Sequence, residues 1–387
     1  MKPHLSRRIN ALQAEMTGAG LDAVVFADRE NLIYYAGAVE IECMAAVIPA
    51  SGEAILCCLW LDAAYVRECS SVENLLVYHF PTSNIGQTIV SAMRALNLKA
   101  PRVGFHKYFV EFGIFDAIRH AFPDMEFLPA MELTYRVRAI KDESELACLQ
   151  QASDYLTVGM EAAVAAVRPG ITEVAVLAEA DYAMRKAGSE GATFRMQVLT
   201  HAKQMQAHGY AGNVVIENNQ PVVIHLGSSC KGYAAKMCRT VALGNIAKET
   251  RHIYEVLKTA QEKAVAALVP GVCAAEIYEL VHECVAAHGY GDMILDQIGY
   301  GVGIRQSEFF PVIGKGVPHI IARNMVVDLL LPTVFKPGVG GPRITDMIRV
   351  TETGGSFMTS FSRDLIEKNR PGTIPGDVQG ANECQYK

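Results

Sequence analysis

Apolar residues at Leu5, Ile9, Leu12 and Met16 recur at helical spacing, and the pattern predicts a helix over residues 4–20. Ala23 to Ala27 is an apolar run of strand length. Ala45 to Ile48 and Ala54 to Leu59 predict a hairpin around Pro49-Ala-Ser-Gly52. Alternating helices and strands to about residue 135 predict an α/β N-terminal region. Lys141-Asp-Glu-Ser is a polar helix start, and the helical pattern runs on to Ala166 before Pro169-Gly170 breaks it. Thr172 caps a following helix that reaches Ala187-Gly188. Pro221 to Gly244 reads as two strands joined by a turn. Residues 251–268 and 274–289 predict two more helices, ending before Pro270-Gly271 and near Gly289. From Pro371 the chain is rich in Gly, Pro, Asn and Gln, the composition of a loose tail.

With 387 residues, half of them hydrophobic and a fifth charged, the chain is expected to form two domains or one large one. The net charge is −6 and no basic run stands out, which argues against nucleic acid and against an anionic membrane surface as partners. Ten cysteines contain no C-x-x-C spacing and read as buried thiols of a reducing cytoplasm. The first residues lack the apolar core of a secretory signal. The longest apolar runs, such as Met325 to Leu331, are too short to span a bilayer.

The chemistry sits in five segments. Pro221-Val-Val-Ile-His-Leu-Gly-Ser-Ser-Cys-Lys-Gly-Tyr-Ala-Ala-Lys-Met-Cys-Arg-Thr-Val-Ala-Leu-Gly244 resembles the "VxxDxG…GYxxDxTRT" hairpin of the creatinase/aminopeptidase P/methionine aminopeptidase superfamily (M24, pita-bread). Gly299-Tyr-Gly-Val-Gly303 resembles its "GHGIG" segment, and Met325 to Phe335 its "MVFTIEPGIY". Gly341 to Gly354 resembles "GxRIEDxVxVTExG", and Tyr135 to Leu149 resembles "RxIKxxxEIxxL". The motifs occur in the family's order over nearly the whole chain. The resemblance implies an α/β creatinase-type N-terminal domain over 1–138, a C-terminal pita-bread catalytic domain over 139–370, and a tail over 371–387.

In metal-dependent members these motifs carry five ligands. Here the positions hold His225, Lys236, Tyr300, Leu331 (Leu330 under a one-residue shift) and Thr345. Two clustered divalent ions require several hard anionic oxygens, and this set supplies none. His208 and His225 without an acid make a poor cage. The expectation is no metal and no other cofactor.

The resemblance places His208 where the family carries a substrate-facing histidine. In creatinase, a metal-free relative, the matching residue is the proposed acid/base. An imidazole takes and returns a proton near pH 7; the alternative is an ordinary surface or core histidine. Lys236 should point into the pocket, to hold an anionic group, stabilise developing negative charge or act as a base; the alternative is a salt bridge within the hairpin. Tyr300 completes the expected catalytic set as a hydrogen-bond donor. Phe194, Arg195, Arg305 and Glu308 are expected substrate contacts by position; His225 and Thr345 are expected contacts too, and they, like Tyr300, either supply hydrogen bonds or merely fill vacated space. Glu308 follows Ser307, which stands where the family often has a second histidine. No Arg occurs in Tyr34 to Cys43, where creatinase supplies a carboxylate-binding one, which argues against creatine. Glu40 and Glu42 stand there instead; Glu42 at the pocket mouth would favour a cationic group, or form a solvated face. The glycines of 299–303 lack the turn of a phosphate loop.

These residues imply a metal-independent, creatinase-like hydrolase that cleaves a C–N bond in a small polar compound. The substrate class is guanidino, ectoine-like or N-substituted amino acids. A lyase acting on a small zwitterion and a catalytically inactive binding module are the alternatives. The resemblance further implies a homodimer whose pockets are closed by the neighbouring N-terminal domain.

Overall fold

The fold is described from a computed structural model over residues 3–39, 43–106, 111–330 and 333–368. The N-terminal sheet has six strands: β1 (Ala23–Phe26), β2 (Ala45–Pro49), β3 (Ile55–Leu59), β4 (Asn74–Tyr78), β5 (Arg102–Phe105) and β6 (Glu126–Pro129). Their order is β4-β3-β2-β1-β5-β6; β1 runs antiparallel to β2 and parallel to β5. Both faces of the central strands are covered. Val25, Ala45 and Val47 face the helices Ile85–Ala95 and Phe112–Ala121, whereas Val24, Phe26 and Ile48 face the helix Pro3–Ala19. Strands buried on both sides need continuous apolar runs rather than alternation.

After the helix Met131–Ala139 the chain enters a region of paired helices and strands. Asp142 starts the helix Glu143–Ala166 with a capping box, its side chain accepting from the Glu145 N–H while Glu145 accepts from that of Asp142. The helix Glu173–Ala187 packs on it, and Thr172 caps it as expected. The helices Lys248–Ala267 and Ala274–Ala286 form a second pair. The two pairs enter alike. The Gly170 N–H donates to the Ile216 carbonyl and Thr172 bridges Val215; the Gly271 N–H donates to the Ile321 carbonyl and Cys273 bridges Ile320. The two helix pairs thus repeat one entry arrangement.

The strands between them are β7 (Gln197–Leu199), β8 (Gln220–Cys230), β9 (Tyr233–Leu243), β10 (Gln297–Gly301), β11 (Glu308–Gly314), β12 (Val326–Leu329), β13 (Asp346–Val350), β14 (Gly355–Phe357) and β15 (Ile366–Lys368). They form sheets ordered β15-β9-β8-β7 and β11-β10-β12-β13-β14, bridged by Cys238 and Thr345, which exchange backbone hydrogen bonds at 3.1 Å. The hairpin β8–β9 turns over Lys231-Gly232, both with positive φ, the two-residue geometry that matches strand twist. Glu190 holds this turn by accepting both N–H groups, at 2.9 and 2.8 Å. No described helix is long and apolar enough to cross a membrane.

Candidate functional site

The hairpin register decides what faces the site. Lys236 on β9 lies opposite Gly227 on β8, and His225 lies opposite Cys238 and beside Gln197 of β7. A Cβ on Gly227 would come within 2.4 Å of the Phe194 ring, so the glycine is what lets that ring lie on the hairpin. The Phe194 ring in turn tilts against His225, with centroids 4.9 Å apart. Phe194, Arg195, His208, His225, Lys236 and Tyr300 all line one cavity of about 700 Å³, with Gln197, Gln306, Ser307 and Phe309 among its other walls. Six residues expected at the site from sequence therefore meet there.

Lys236 is buried. Its ammonium forms an ion pair with Asp328 of β12 and donates to Ser307 Oγ at 3.0 Å. Asp328 is fully buried and its Oδ1 also accepts the Tyr300 N–H at 2.5 Å. Burial pushes the Asp328 carboxyl above the ordinary carboxylate range; the Lys236 ammonium and the Tyr300 N–H oppose that push. The partner of Lys236 thus comes from another strand, not from within the hairpin.

His225 is buried, and its Nε2 has no hydrogen-bond partner among the described residues. Burial, with Lys236 and Arg343 adding positive charge nearby, holds its imidazole well below the ordinary 6.5, so it is neutral at neutral pH. His208 differs: it is exposed, on the loop before β8. The Tyr300 hydroxyl donates to Gln297 Oε1. Arg195 is exposed, with its guanidinium 5.3 Å from the Tyr210 ring centre.

The other expected contacts lie elsewhere. Glu308 is absent from the cavity lining. It is buried against Arg138, which comes from the helix before the junction, and the Arg138–Glu308 pair ties the two regions together. Glu308 was expected because it stands where the family often has a Glu after a second histidine; its neighbours Ser307 and Phe309 reach the cavity, and Glu308 between them does not. Arg305 lines a separate cavity of about 300 Å³ with Glu30 and Glu190, and its guanidinium stacks 5.0 Å from the Phe309 ring centre. Thr345 is fully buried and its hydroxyl donates to the Leu330 carbonyl. Glu40, Glu42 and Leu331 lie outside the described residues. Sequence reasoning passed over Asp328. Its signal was a single acid inside the apolar run Met325 to Leu331.

The matches to known proteins agree with this architecture. Residues 147–352 match metallopeptidase family M24 and residues 8–140 match the creatinase/prolidase N-terminal domain. The chain belongs to metallopeptidase family M24. It is 28% identical over 362 residues to the putative dipeptidase YkvY of Bacillus subtilis, covering 93% of this chain and 99% of that one. The Xaa-Pro dipeptidase of Pyrococcus horikoshii is 25% identical over 367 residues, 94% of this chain and 99% of its own. The fold is that of the solved Xaa-Pro dipeptidase from Bacillus anthracis, with a TM-score of 0.86 and 24% identity over 94% of this chain and all of that one.

M24 membership implies a metal centre, and the residues present do not fit one. At the positions that the sequence resemblance assigns to ligands, Lys236 presents an ammonium already paired with Asp328, and the hydroxyls of Tyr300 and Thr345 are spent on Gln297 and Leu330. Among the described residues at these positions, only His225 has a ring nitrogen without a partner. Among the described residues no group of three or more His, Cys, Asp or Glu side chains is placed to hold an ion.

Proposed function

We propose that the protein is a metal-independent hydrolase of the M24 family that cleaves a C–N bond in a small polar compound, with His208 as the acid/base. The observation that carries this is the cavity itself. It keeps an exposed His208 together with His225, Tyr300 and Lys236, while an internal ion pair stands among the positions that the resemblance assigns to ligands. A cavity of about 700 Å³ suits a compound of dipeptide size, and the curated relatives are named as dipeptidases. Substrates with a short amide, an amidine or an N-substituted amino acid core fit that reading.

In this scheme His208 takes a proton from water as the water oxygen bonds to the electrophilic carbon. The C–N bond then breaks, and His208 returns the proton to the leaving nitrogen. The products are the hydroxylated carbon fragment (an acid, when the substrate is an amide) and an amine. A positioned general acid/base is worth roughly 10²–10⁴ in rate. Lys236 is given no proton-transfer role in this scheme, because its nitrogen is already engaged by Asp328 and Ser307.

The test is a mass-spectrometric screen of the purified protein against dipeptides including Xaa-Pro, N-acyl amino acids, guanidino acids and cyclic amidines, with and without chelator. Turnover should be indifferent to chelator, and His208→Ala should lower kcat by about 10²–10⁴ while substrate binding persists. Turnover that requires added Mn, Co or Zn would defeat the metal-independent reading. A near-normal kcat in His208→Ala would defeat the role of His208.

A further inference from the structure

The cavity has a charge pattern opposite to that of a metal site. Its described lining carries an ammonium, a guanidinium and two imidazoles, and no Asp or Glu. Among the described residues, the carboxylate paired with Lys236 is Asp328, which stands behind it and is absent from the lining. One of its oxygens takes the ammonium and the other takes the Tyr300 N–H, so neither is left to receive a cation from the cavity. Lys236 and Arg195 set against Asp328 leave one positive charge.

That charge is positioned to be used. An ammonium has three donor hydrogens. Among the described residues Asp328 and Ser307 take two of them. The third belongs to a nearly inaccessible nitrogen on the cavity wall, where an unmet donor is costly. The fork of Arg195 has no ion-pair partner among the described residues, because its guanidinium lies over Tyr210 instead of against an acid. An ammonium and a hydroxyl 3.0 Å apart are spaced to meet the two oxygens of one carboxylate.

We propose that this cavity is an anion site. Its ligand is a small organic monoanion, a carboxylate, whose charged end meets Lys236 Nζ and Ser307 Oγ, with Asp328 as the positioning residue that holds the ammonium in place. The proposal rests on reading the cavity as the substrate site and names the substrate class. A dianion would exceed the single spare positive charge. A cationic substrate, the expectation attached to Glu42, would meet Lys236 and Arg195 across the cavity.

The experiment is calorimetric titration of the full chain with N-acetylglycine, with the neutral isostere N-acetylglycinamide, and with acetate and benzoate as simpler monoanions. N-Acetylglycine should bind at least about tenfold tighter than its amide, with a preference that shrinks as salt rises. Lys236→Met should erase the preference. Arg195→Gln, at an exposed position where folding is not at stake, should reduce it, and Ser307→Ala should reduce it by a smaller factor. Equal affinity for the acid and the amide, or no binding of any of the three anions, would overturn the proposal, as would unchanged preference in a folded Lys236→Met or in Arg195→Gln together with Ser307→Ala. The two readings fail separately. Anion binding without turnover of any C–N compound retires the hydrolase and keeps the anion site. Turnover of neutral or cationic compounds with no anion preference does the reverse.

Discussion

Lys236 and Arg239 sit three residues apart on the same strand, both buried and both paired with a buried aspartate, yet they do different work. Arg239 is saturated. Its Nε donates to the Ser362 carbonyl at 2.7 Å, Nη1 to the carbonyls of Cys238 and Thr345 at 2.8 and 3.0 Å, and Nη2 to Asp346 at 2.6 Å and the Phe361 carbonyl at 3.1 Å. Asp346 is held again by Thr359 at 2.6 Å. Lys236 has Asp328 and Ser307, and beyond them the cavity. An odd separation on a strand puts the two side chains on opposite faces. One face is closed and its ion pair is architecture. The other is open, and its ion pair keeps a donor for something that arrives.

The sharpest way to break this contrast is to remove the closed cation. Arg239→Met leaves Asp346 as a buried charge with its best partner gone and should cost about 3–5 kcal/mol of stability. Urea unfolding should show this as a lowered midpoint. A loss below about 1 kcal/mol would mean that saturation is not what distinguishes the two pairs.

A second closed network lies where the two regions join. Arg8 holds Asp142 at 2.9 Å and Glu145 at 3.6 Å, and the Glu145 carboxylate accepts the Asp142 N–H at 3.0 Å. Burial pushes the Glu145 carboxyl up from 4.5 to about 6, against the pull of Arg8 and Lys141. A folded value above the unfolded one means the protonated form is favoured by folding. The contribution is therefore complete below 4.5 and lost as pH rises through about 6, a change of roughly 2 kcal/mol. Glu145→Gln keeps an acceptor for the cap and removes the titration. Between about pH 4 and 7, the stability of this variant relative to the parent should improve by roughly 2 kcal/mol. A difference that does not move with pH would show that burial does not raise the Glu145 carboxyl.

The smallest effect is expected from removing both members of the open pair. Lys236→Met with Asp328→Asn takes away two charges together and should change stability by only about 1 kcal/mol, whereas either single change should cost more. Additive losses in this double-mutant cycle would show that Lys236 and Asp328 are not coupled, and that the open face is open only in geometry.

Much of this molecule could be read before its fold was seen. The helix over 4–20, the Thr172 cap and the hairpin β8–β9 depend on neighbours within a few residues, and each appears where the periodicity put it. Phe194, Arg195, His208, His225, Lys236 and Tyr300 line one cavity. The failures share one cause. Glu308 was placed by its position in the family pattern, but its partner is Arg138, far away along the chain. Thr345 was taken as a substrate contact, yet its hydroxyl is used by the Leu330 carbonyl. Asp328 looked like one acid in an apolar strand, and nothing local says that Lys236 will meet it.

The chain by itself determined which elements form, their caps and turns, the order of the motifs, and the residue types His225, Lys236, Tyr300 and Thr345 at the positions that the resemblance assigns to ligands. Those are matters of side-chain chemistry and short-range spacing. Only the tertiary structure decided which buried cation is closed and which is open, because that depends on what the strand order brings opposite each side chain. It also decided that His225 is a buried neutral imidazole while His208 is exposed. Desolvation comes from the whole surrounding fold, and no run of neighbouring residues specifies it.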